Sequence, residues 1–315
     1  MRTHAPALVQ DGAARMARRR QLITVPESFR AWGRWQREGE AGRRWLAALP
    51  DIVSEHCTRW GLRVDGEPMH GDNGLAVPVS RGDEPLVLKV SWPDESVVDQ
   101  AQALRVWSGQ GMVLLVDADL SSGVLLLERL DHSRSLRDLP LEDAVPLVGQ
   151  QLRRLAVPVE GGFRSTWEAA EELCESLRER WEAVGRPFPT RVLDLALGLA
   201  EEMAAERSSE MVNRDLHYSQ VLRGSREPWL AVDPLPLVGA IEYQAGQLLW
   251  TRYDEMAGTR RFRWCLDALI DAAEMDRPRA RAWALLRSVD YWLWGLGAGF
   301  TEDPVRCAGM VQELI

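Results

Sequence analysis

The sequence predicts an α+β protein with two lobes, a small lobe built on an antiparallel sheet and a larger, mostly helical lobe. The 315 residues include 46% hydrophobic side chains, which is sufficient for a substantial core. Short β-like segments separated by turn signals precede residue 130, and apolar residues at helical spacing dominate after it. We therefore expect a tail at residues 1–24, a small lobe with leading helices at 25–130 and a helical lobe at 131–315.

The small lobe is predicted to begin with helices and to continue as a sheet. Apolar residues recur at helical spacing after Pro26, with Pro50 separating two helices and Gly61 ending the second. The segments "LRVDGEP", "GLAVPVS" and "PLVLKVS" predict three strands of a meander. A helix is expected from Asp94, whose carboxylate accepts from free backbone amides, to Gly109. The strands "MVLLVDAD" and "GVLLLERL" complete the lobe.

The large lobe is predicted to consist mainly of helices. Two short strands are expected on either side of "GSRE", and the boundary between the lobes is placed near Glu128–Ser135. Apolar periodicity predicts helices at Glu142–Ala156, Ser165–Val184, Thr190–Arg207, Gly239–Thr251, Asp254–Glu274, Pro278–Leu296 and Pro304–Leu314.

Charge and composition exclude several classes of function. The net charge of −9 disfavours a nucleic-acid partner and suits a cationic small molecule, although solubility alone also explains it. Four scattered cysteines and five histidines form neither a C-x-x-C pair nor a metal-ligand motif, so we expect a reducing compartment. With no signal-like N-terminus and no membrane-spanning run, the sequence predicts a cytoplasmic protein without a membrane partner. The oligomeric state stays open.

The segment "NRDLHYSQVLRGSREPWLAVDP" carries the main candidates for chemistry. Asp215 lies five residues before Gln220, and Asp233 follows a short apolar run. Protein kinases use this order, H-R-D-x-x-x-x-N followed by D-F-G, for phosphoryl transfer. We expect Asp215 to be the catalytic carboxylate that accepts the proton of a hydroxyl, with Gln220 and Asp233 as ligands of Mg²⁺. The alternative for Asp215 is an ordinary turn residue.

Lys89 is the single lysine of the chain and lies in the predicted strand "PLVLKVS". Its compact charge suits the phosphates of a nucleotide, and the alternative is an outward-facing strand residue. The turn "MHGDNGL", with Gly71 and Gly74, is expected to cover those phosphates with backbone amides, although an ordinary hairpin turn explains it almost as well.

Two further groups of residues are predicted at the edges of this site. The connection at Glu128, Arg129 and Leu130 is expected to offer backbone groups to an adenine edge. Acidic side chains after Asp233 are expected to face an acceptor with ammonium or guanidinium groups, unless they belong to solvated helix faces. They are Glu242, Asp254 and Glu255.

Four ordered segments resemble the aminoglycoside phosphotransferases, in the branch that includes streptomycin kinases and hydroxyurea kinases. They are "REGEAGRRWLAALP", "QAQALRVWSGQG", "LLLERL" and "NRDLHYSQVL" with "EPWLAVDPLPLVG". The resemblance implies a protein-kinase-like bilobal fold and ATP-dependent, Mg²⁺-assisted O-phosphorylation of a small molecule, often an antibiotic.

Several functional positions depart from the pattern of that family. The family's small-lobe Glu, partner of the lysine, aligns with Gln100, which we nevertheless place in the nucleotide site. A catalytically impaired, pseudokinase-like binding module is therefore the alternative function, and an altered donor or transfer chemistry is a third. The remaining departures are Asn213 for His, Arg214 for Gly, Gln220 for Asn, Leu235 for Lys, and Gly239, Ala240 and Ile241 for G-D-P.

Overall fold

The computed structural model describes residues 22–256 and 258–315, so nearly all of the predicted tail at 1–24 lies outside the described residues. The chain divides into two compact units. The first ends at Val97 and also contains Leu115–Arg129, and the second consists of Val98–Leu114 and Leu130–Ile315. The division between Val97 and Val98 falls within one helix, Glu95–Trp107.

An antiparallel sheet with helices before it forms the first unit, in agreement with the predicted α+β class. Its helices are α1 (Glu27–Arg30), α2 (Gly33–Arg37) and α3 (Gly39–Trp60), and α4 (Glu95–Trp107) begins here. Its strands are β1 (Arg63–Val64), β2 (Met69–His70), β3 (Gly74–Arg81), β4 (Glu84–Ser91), β5 (Leu115–Asp119) and β6 (Val124–Glu128). The sheet order is β1-β3-β4-β6-β5, and β2 pairs with β3.

The predicted break at Pro50 is wrong, because α3 continues through it as one helix from Gly39 to Trp60. Buried residues on both sides of Pro50, Leu49 and Val53 among them, keep one apolar face in the core of the first unit. That packing outweighs the cost of a proline inside a helix. The predicted end at Gly61 is confirmed, since Gly61 adopts the left-handed conformation that favours glycine.

Strand β4 shows the alternation that a half-buried strand requires. Leu86, Leu88 and Val90 are buried, whereas Lys89 between them is only partly buried. Successive side chains point to opposite faces of a sheet, so the two apolar neighbours face the core and the lysine lies on the other face. Lys89 is in register with Ala76 of β3 and Leu125 of β6.

The second unit is mostly helical, as predicted. Its helices are the remainder of α4, then α5 (Leu141–Leu155), α6 (Thr166–Ala183), α7 (Thr190–Ala205), α8 (Ala245–Trp250), α9 (Thr259–Ala273), α10 (Arg277–Gly297) and α11 (Glu302–Leu314). Its short strands are β7 (Asp131–Ser135), β8 (Val157–Pro158), β9 (Glu210–Asn213), β10 (Val221–Arg223), β11 (Trp229–Ala231) and β12 (Pro236–Val238).

Two predicted helices of the second unit begin later than expected. The predicted helix Gly239–Thr251 is a 3₁₀ turn at Ile241–Gln244 followed by α8, because the preceding residues pair as β12 with β9. The predicted helix Asp254–Glu274 begins only at Thr259. Strands β10 and β11 confirm the prediction of a strand on either side of "GSRE".

Two small antiparallel sheets position the segment around Asp215. One has the order β12-β9-β8, with Asn213 opposite Pro236, and the other has the order β11-β10-β7, with Val221 opposite Ala231. The chain before Asp215 therefore lies beside the chain after Asp233. Within residues 22–256 and 258–315, none of the helices combines the length and apolar composition needed to cross a bilayer.

Candidate active site

The backbone of the loop that carries Asp215 is held by the side chain of Asn213. The Oδ1 atom of Asn213 accepts hydrogen bonds from the backbone N–H of Asp215 at 3.2 Å and from that of Leu235 at 2.9 Å. Asn213 is completely buried. The backbone N–H of Arg214 adds a bond of 2.8 Å to the carbonyl of Leu235. One buried amide thus ties the loop to the segment that follows Asp233.

The carboxylate of Asp215 accepts hydrogen bonds from two glutamine side chains. Gln247 donates from Nε2 to Oδ1 at 2.7 Å, and Gln220 donates from Nε2 to Oδ2 at 3.4 Å. Gln247 is 9% exposed and lies on α8, whereas Gln220 lies in the 3₁₀ turn after Asp215. The geometry orients the carboxylate from two sides, with the stronger bond on Oδ1.

Asp233 lies beside Gln220 because the β10–β11 hairpin joins their segments. The backbone N–H of Val232 donates to the carbonyl of Gln220 at 2.9 Å. Asp233 itself has a φ of +53°, an uncommon conformation for a residue other than glycine. Gln100, on α4, donates from Nε2 to Oδ1 of Asp233 at 2.9 Å and to the carbonyl of Pro234 at 3.1 Å. The structure thus brings Asp215, Gln220, Asp233 and Gln100 into one connected set.

An unpaired oxygen in this set has the chemistry that a hard cation needs. The Oε1 atom of Gln220 is buried and has no hydrogen-bond partner within residues 22–256 and 258–315, which is costly unless another group binds it. Amide and carboxylate oxygens are the ligands that Mg²⁺ prefers, so Gln220 and Asp233 fit this ion. No group of three or more His, Cys, Asp or Glu side chains in the described part of the chain is arranged to hold a metal.

A buried arginine supplies positive charge near Asp215. Arg287, on α10, donates to Asp290 at 2.9 Å and lies over the ring of Tyr243 at 4.3 Å. Burial lowers the pKa of Arg287, but Tyr243, then Asp290 and Asp215, raise it, and the net shift is upward. Arg287 therefore stays a cation within electrostatic reach of the Asp215 carboxylate.

Most of the residues predicted to contact the nucleotide belong to the first unit, whereas Gln100 and Leu130 belong to the second. The N–H of Gly71 donates to the carbonyl of Gly74 at 3.1 Å in the turn between β2 and β3. A side chain at Gly74 would collide with the backbone of Val90, so glycine is required there. Arg129 donates to the carbonyl of Leu86 at 3.0 Å, which fixes the end of β6.

The three acidic residues predicted to face the acceptor each form an ion pair with an arginine. Glu242 is buried, accepts from the backbone N–H of Asp276 at 2.9 Å and lies 3.5 Å from Arg279. Asp254 accepts from Arg306 at 2.7 Å. Glu255 accepts from Arg252 at 3.0 Å and from Arg137 at 2.6 Å. These contacts give all three carboxylates a role in the fold, and no hydrogen bond joins them to Asp215 among the described residues.

Sequence reasoning missed the two side chains that hold Asp215. Asn213 stands where the resembling family has His, and the structure shows that its oxygen fastens the loop. Gln247 lies 32 residues after Asp215, in the largely apolar run "AGQLLW". The single amide inside this apolar run could have indicated the contact, because a buried polar side chain needs a hydrogen-bond partner.

Comparison with known proteins identifies the family of this chain. Residues 59–299 match the model of the aminoglycoside/hydroxyurea antibiotic resistance kinases. The chain belongs to this family. Over 301 residues it is 35% identical to a streptomycin 6-kinase of Streptomyces glaucescens, covering 93% of this chain and 98% of that protein. Over 283 residues it is 39% identical to a hydroxyurea phosphotransferase of Kitasatospora aureofaciens, covering 88% and 82%.

Solved structures confirm that this family member has the protein-kinase-like fold predicted from the sequence. Aminoglycoside phosphotransferase APH(4)-Ia superposes with a TM-score of 0.57 at 16% identity, covering 83% of this chain and 98% of that one. Choline kinase LicA from Streptococcus pneumoniae gives a TM-score of 0.55 at 13% identity, covering 84% and 98%. As a member of the antibiotic resistance kinase family, the chain is a small-molecule phosphotransferase.

Proposed function

We propose that this phosphotransferase moves the γ-phosphoryl group of ATP to a hydroxyl group of a small antibiotic. The observation that carries the proposal is the Asp215 carboxylate, held by Gln247 and Gln220 beside the segment of Asp233. Solved complexes of APH(4)-Ia with ADP or AMP-PNP and hygromycin B support an adenine nucleotide as donor. The catalytically impaired alternative is not favoured, because relatives at 35–39% identity are named as kinases or as a phosphotransferase.

The residues of the kinase-like motifs receive one role each in this reaction. Asp215 binds the acceptor hydroxyl and takes its proton as the hydroxyl oxygen attacks phosphorus. Gln220 and Asp233 hold Mg²⁺, which when bound neutralises charge on the phosphates. Lys89 supplies a compact positive charge to the same phosphates. We assign Gly71, Gly74 and the connection at 128–130 to the nucleotide, on their places in the chain.

Streptomycin is our first candidate for the acceptor. Two streptomycin 6-kinases match most of the chain, at 35% and 37% identity. A protein with a net charge of −9 also attracts a cationic acceptor such as this one. Hydroxyurea is the second candidate, since the hydroxyurea phosphotransferase shows 39% identity. In the described residues the four cysteines are free thiols, which suits the reducing, ATP-rich cytoplasm in which we place the reaction.

Phosphate transfer from labelled ATP tests this proposal directly. The purified protein is incubated with Mg²⁺, ATP and either streptomycin or hydroxyurea, and the product is located by phosphorus NMR. We expect a phosphate ester on streptomycin and a loss of kcat of about 10²- to 10⁴-fold in Asp215→Ala. The exposed neighbour Arg214 provides the control variant, Arg214→Ala. Absence of nucleotide binding, or wild-type turnover in Asp215→Ala, would refute the proposal.

A further inference from the structure

Gln247 makes the shorter of the two hydrogen bonds that the described side chains donate to the Asp215 carboxylate, 2.7 Å to Oδ1 against 3.4 Å from Gln220 to Oδ2. We propose that Gln247 is a positioning residue for phosphoryl transfer, which occupies Oδ1 and leaves Oδ2 as the oxygen that receives the proton of the acceptor hydroxyl. This inference rests on the proposed function and adds a residue that neither the motif nor its spacing predicts.

Helix α8 gives Gln247 a rigid support. Gln247 is 9% exposed, and its neighbours Leu248 and Leu249 are completely buried. Its carbonyl accepts from the backbone N–H of Thr251 at 3.2 Å and from the hydroxyl of Thr251 at 2.9 Å. The absence of a side chain at Gly246 allows Arg287 of α10 to pack against α8, where a Cβ atom would lie 2.9 Å from that arginine. A donor on such a packed element is held more accurately than one on a loop.

The chemistry of an amide suits this role better than that of a charged side chain. A lysine or arginine here would pair with Asp215 and reduce its readiness to take a proton, and a glutamate would repel it. The amide N–H orients the carboxylate and stabilises its charge without neutralising it. At 3.4 Å the contact from Gln220 to Oδ2 is long and weak, so Oδ2 keeps capacity for the acceptor hydroxyl.

The transfer step balances with Oδ2 as the proton acceptor. The hydroxyl oxygen of the acceptor forms a bond to the γ-phosphorus, and the bond between that phosphorus and the β,γ-bridging oxygen breaks. The electron pair of the broken bond leaves with ADP. The hydroxyl proton passes to Oδ2 of Asp215, while Oδ1 stays bonded to Nε2 of Gln247.

A purely structural role for Gln247 is separated from positioning by a matched control. Gln244, three residues earlier, is a completely buried glutamine, and neither of its amide atoms has a partner among the described residues. Both glutamines are replaced by methionine, which keeps the length of the side chain and removes the donor. We expect Gln247→Met to lower kcat about 10- to 100-fold with little change in KM, and Gln244→Met to leave both constants unchanged.

A carboxyl group at position 247 provides a second test, the pH profile of kcat. A purely structural role of Gln247 would leave this profile unchanged. Gln247→Glu places a carboxyl group against Oδ1 of Asp215, and at close range one of the two groups must hold a proton. We expect the pH profile of kcat to gain a step that the wild-type protein lacks. An unchanged profile together with wild-type kcat in Gln247→Met overturns the inference and leaves the phosphotransferase activity standing.

Thermal unfolding keeps the inference testable without any acceptor. Tm is measured for Gln247→Met, Asp215→Ala and the double variant, since residues in contact give non-additive effects. If the wild-type protein phosphorylates neither acceptor, the proposed function fails. The comparison of Tm values among the three variants then tests by itself whether Gln247 and Asp215 interact. Non-additive shifts support the hydrogen bond between Gln247 and Asp215, and additive shifts overturn it.

Discussion

Gln100 donates one hydrogen bond of 2.9 Å to the carboxylate of Asp233 and another of 3.1 Å to the carbonyl of Pro234. Gln100 is 6% exposed, and its bond to Pro234 is buried whereas its bond to Asp233 is partly buried. By resemblance, Gln100 replaces a glutamate and looks like a loss of function. The structure gives the amide a task that requires a donor, because a glutamate would face Asp233 with a like charge.

We therefore predict that Gln100→Glu lowers the affinity of the protein for Mg²⁺ and nucleotide, although it restores the residue of the resembling family. Affinity for Mg²⁺ and AMP-PNP, measured by calorimetry, should fall by about 10-fold, since a buried hydrogen bond becomes a repulsion. Gln102→Glu makes the same change at an exposed position of the same helix and should bind normally. Tighter binding in Gln100→Glu would contradict the role given to the amide.

Gln220 is expected to act through its amide oxygen, a buried atom without a hydrogen-bond partner in the described part of the chain. Gln220→Ala should raise the Mg²⁺ concentration for half-maximal activity by about 10-fold or more. The Mg²⁺ requirement of Gln220→Asn should lie between those of this variant and the wild-type protein. The amide oxygen is kept, but the shorter side chain loses the hydrogen bond to Asp215. Titration of activity with Mg²⁺ measures the effect, with Ser219→Ala as an exposed control. Identical titrations for all variants would remove Gln220 from the metal site.

Asn213 is predicted to stabilise the fold as well as the site. Asn213→Ala leaves the backbone N–H groups of Asp215 and Leu235 unpaired, at about 1–3 kcal/mol each, so unfolding free energy should fall by about 2–6 kcal/mol. Urea unfolding measures this loss, and kcat should fall with it as the loop loosens. Arg214→Ala changes the exposed next residue and should cost under about 0.5 kcal/mol. Equal effects of the two variants would count against this prediction.

Asp119 in the first unit should make a contribution to the free energy of unfolding that depends on pH. A hydrogen bond from the hydroxyl of Ser121 is the largest influence on the pKa of Asp119 and lowers it. Burial raises this pKa, and hydrogen bonds from His56 and Arg59 lower it further, so the pKa lies well below the usual range. A lowered pKa stabilises the fold above the unfolded value of about 3.9, and this stability is lost as pH falls. Asp119→Asn should cost about 1–3 kcal/mol at neutral pH.

Calorimetry from neutral pH to pH 3 checks this prediction, since the difference between wild type and Asp119→Asn should shrink below about pH 4. Asp83→Asn, at an exposed turn of the same sheet, is the control. A difference that stays constant with pH would show that the charge of Asp119 is not the source of the stability.

Local patterns predicted much of the fold because they report directly on burial. The alternation around Lys89 placed it on a strand between core residues, and turn residues around "GSRE" predicted the β10–β11 hairpin. The break expected at Pro50 was wrong, since packing of Leu49 and Val53 overrode the local preference of proline. Local preference decides a structure only where tertiary contacts do not oppose it.

The sequence by itself determined the family, the α+β class and the order of Lys89, Asp215, Gln220 and Asp233, because the order of motifs along a chain needs no coordinates. Tertiary structure alone decided which partner each side chain has. Gln247 reaches Asp215 across 32 residues, and Gln100 reaches Asp233 across 133. Hydrogen bonds depend on distances of about 3 Å, and spacing in sequence does not contain such distances until the helices and strands have packed.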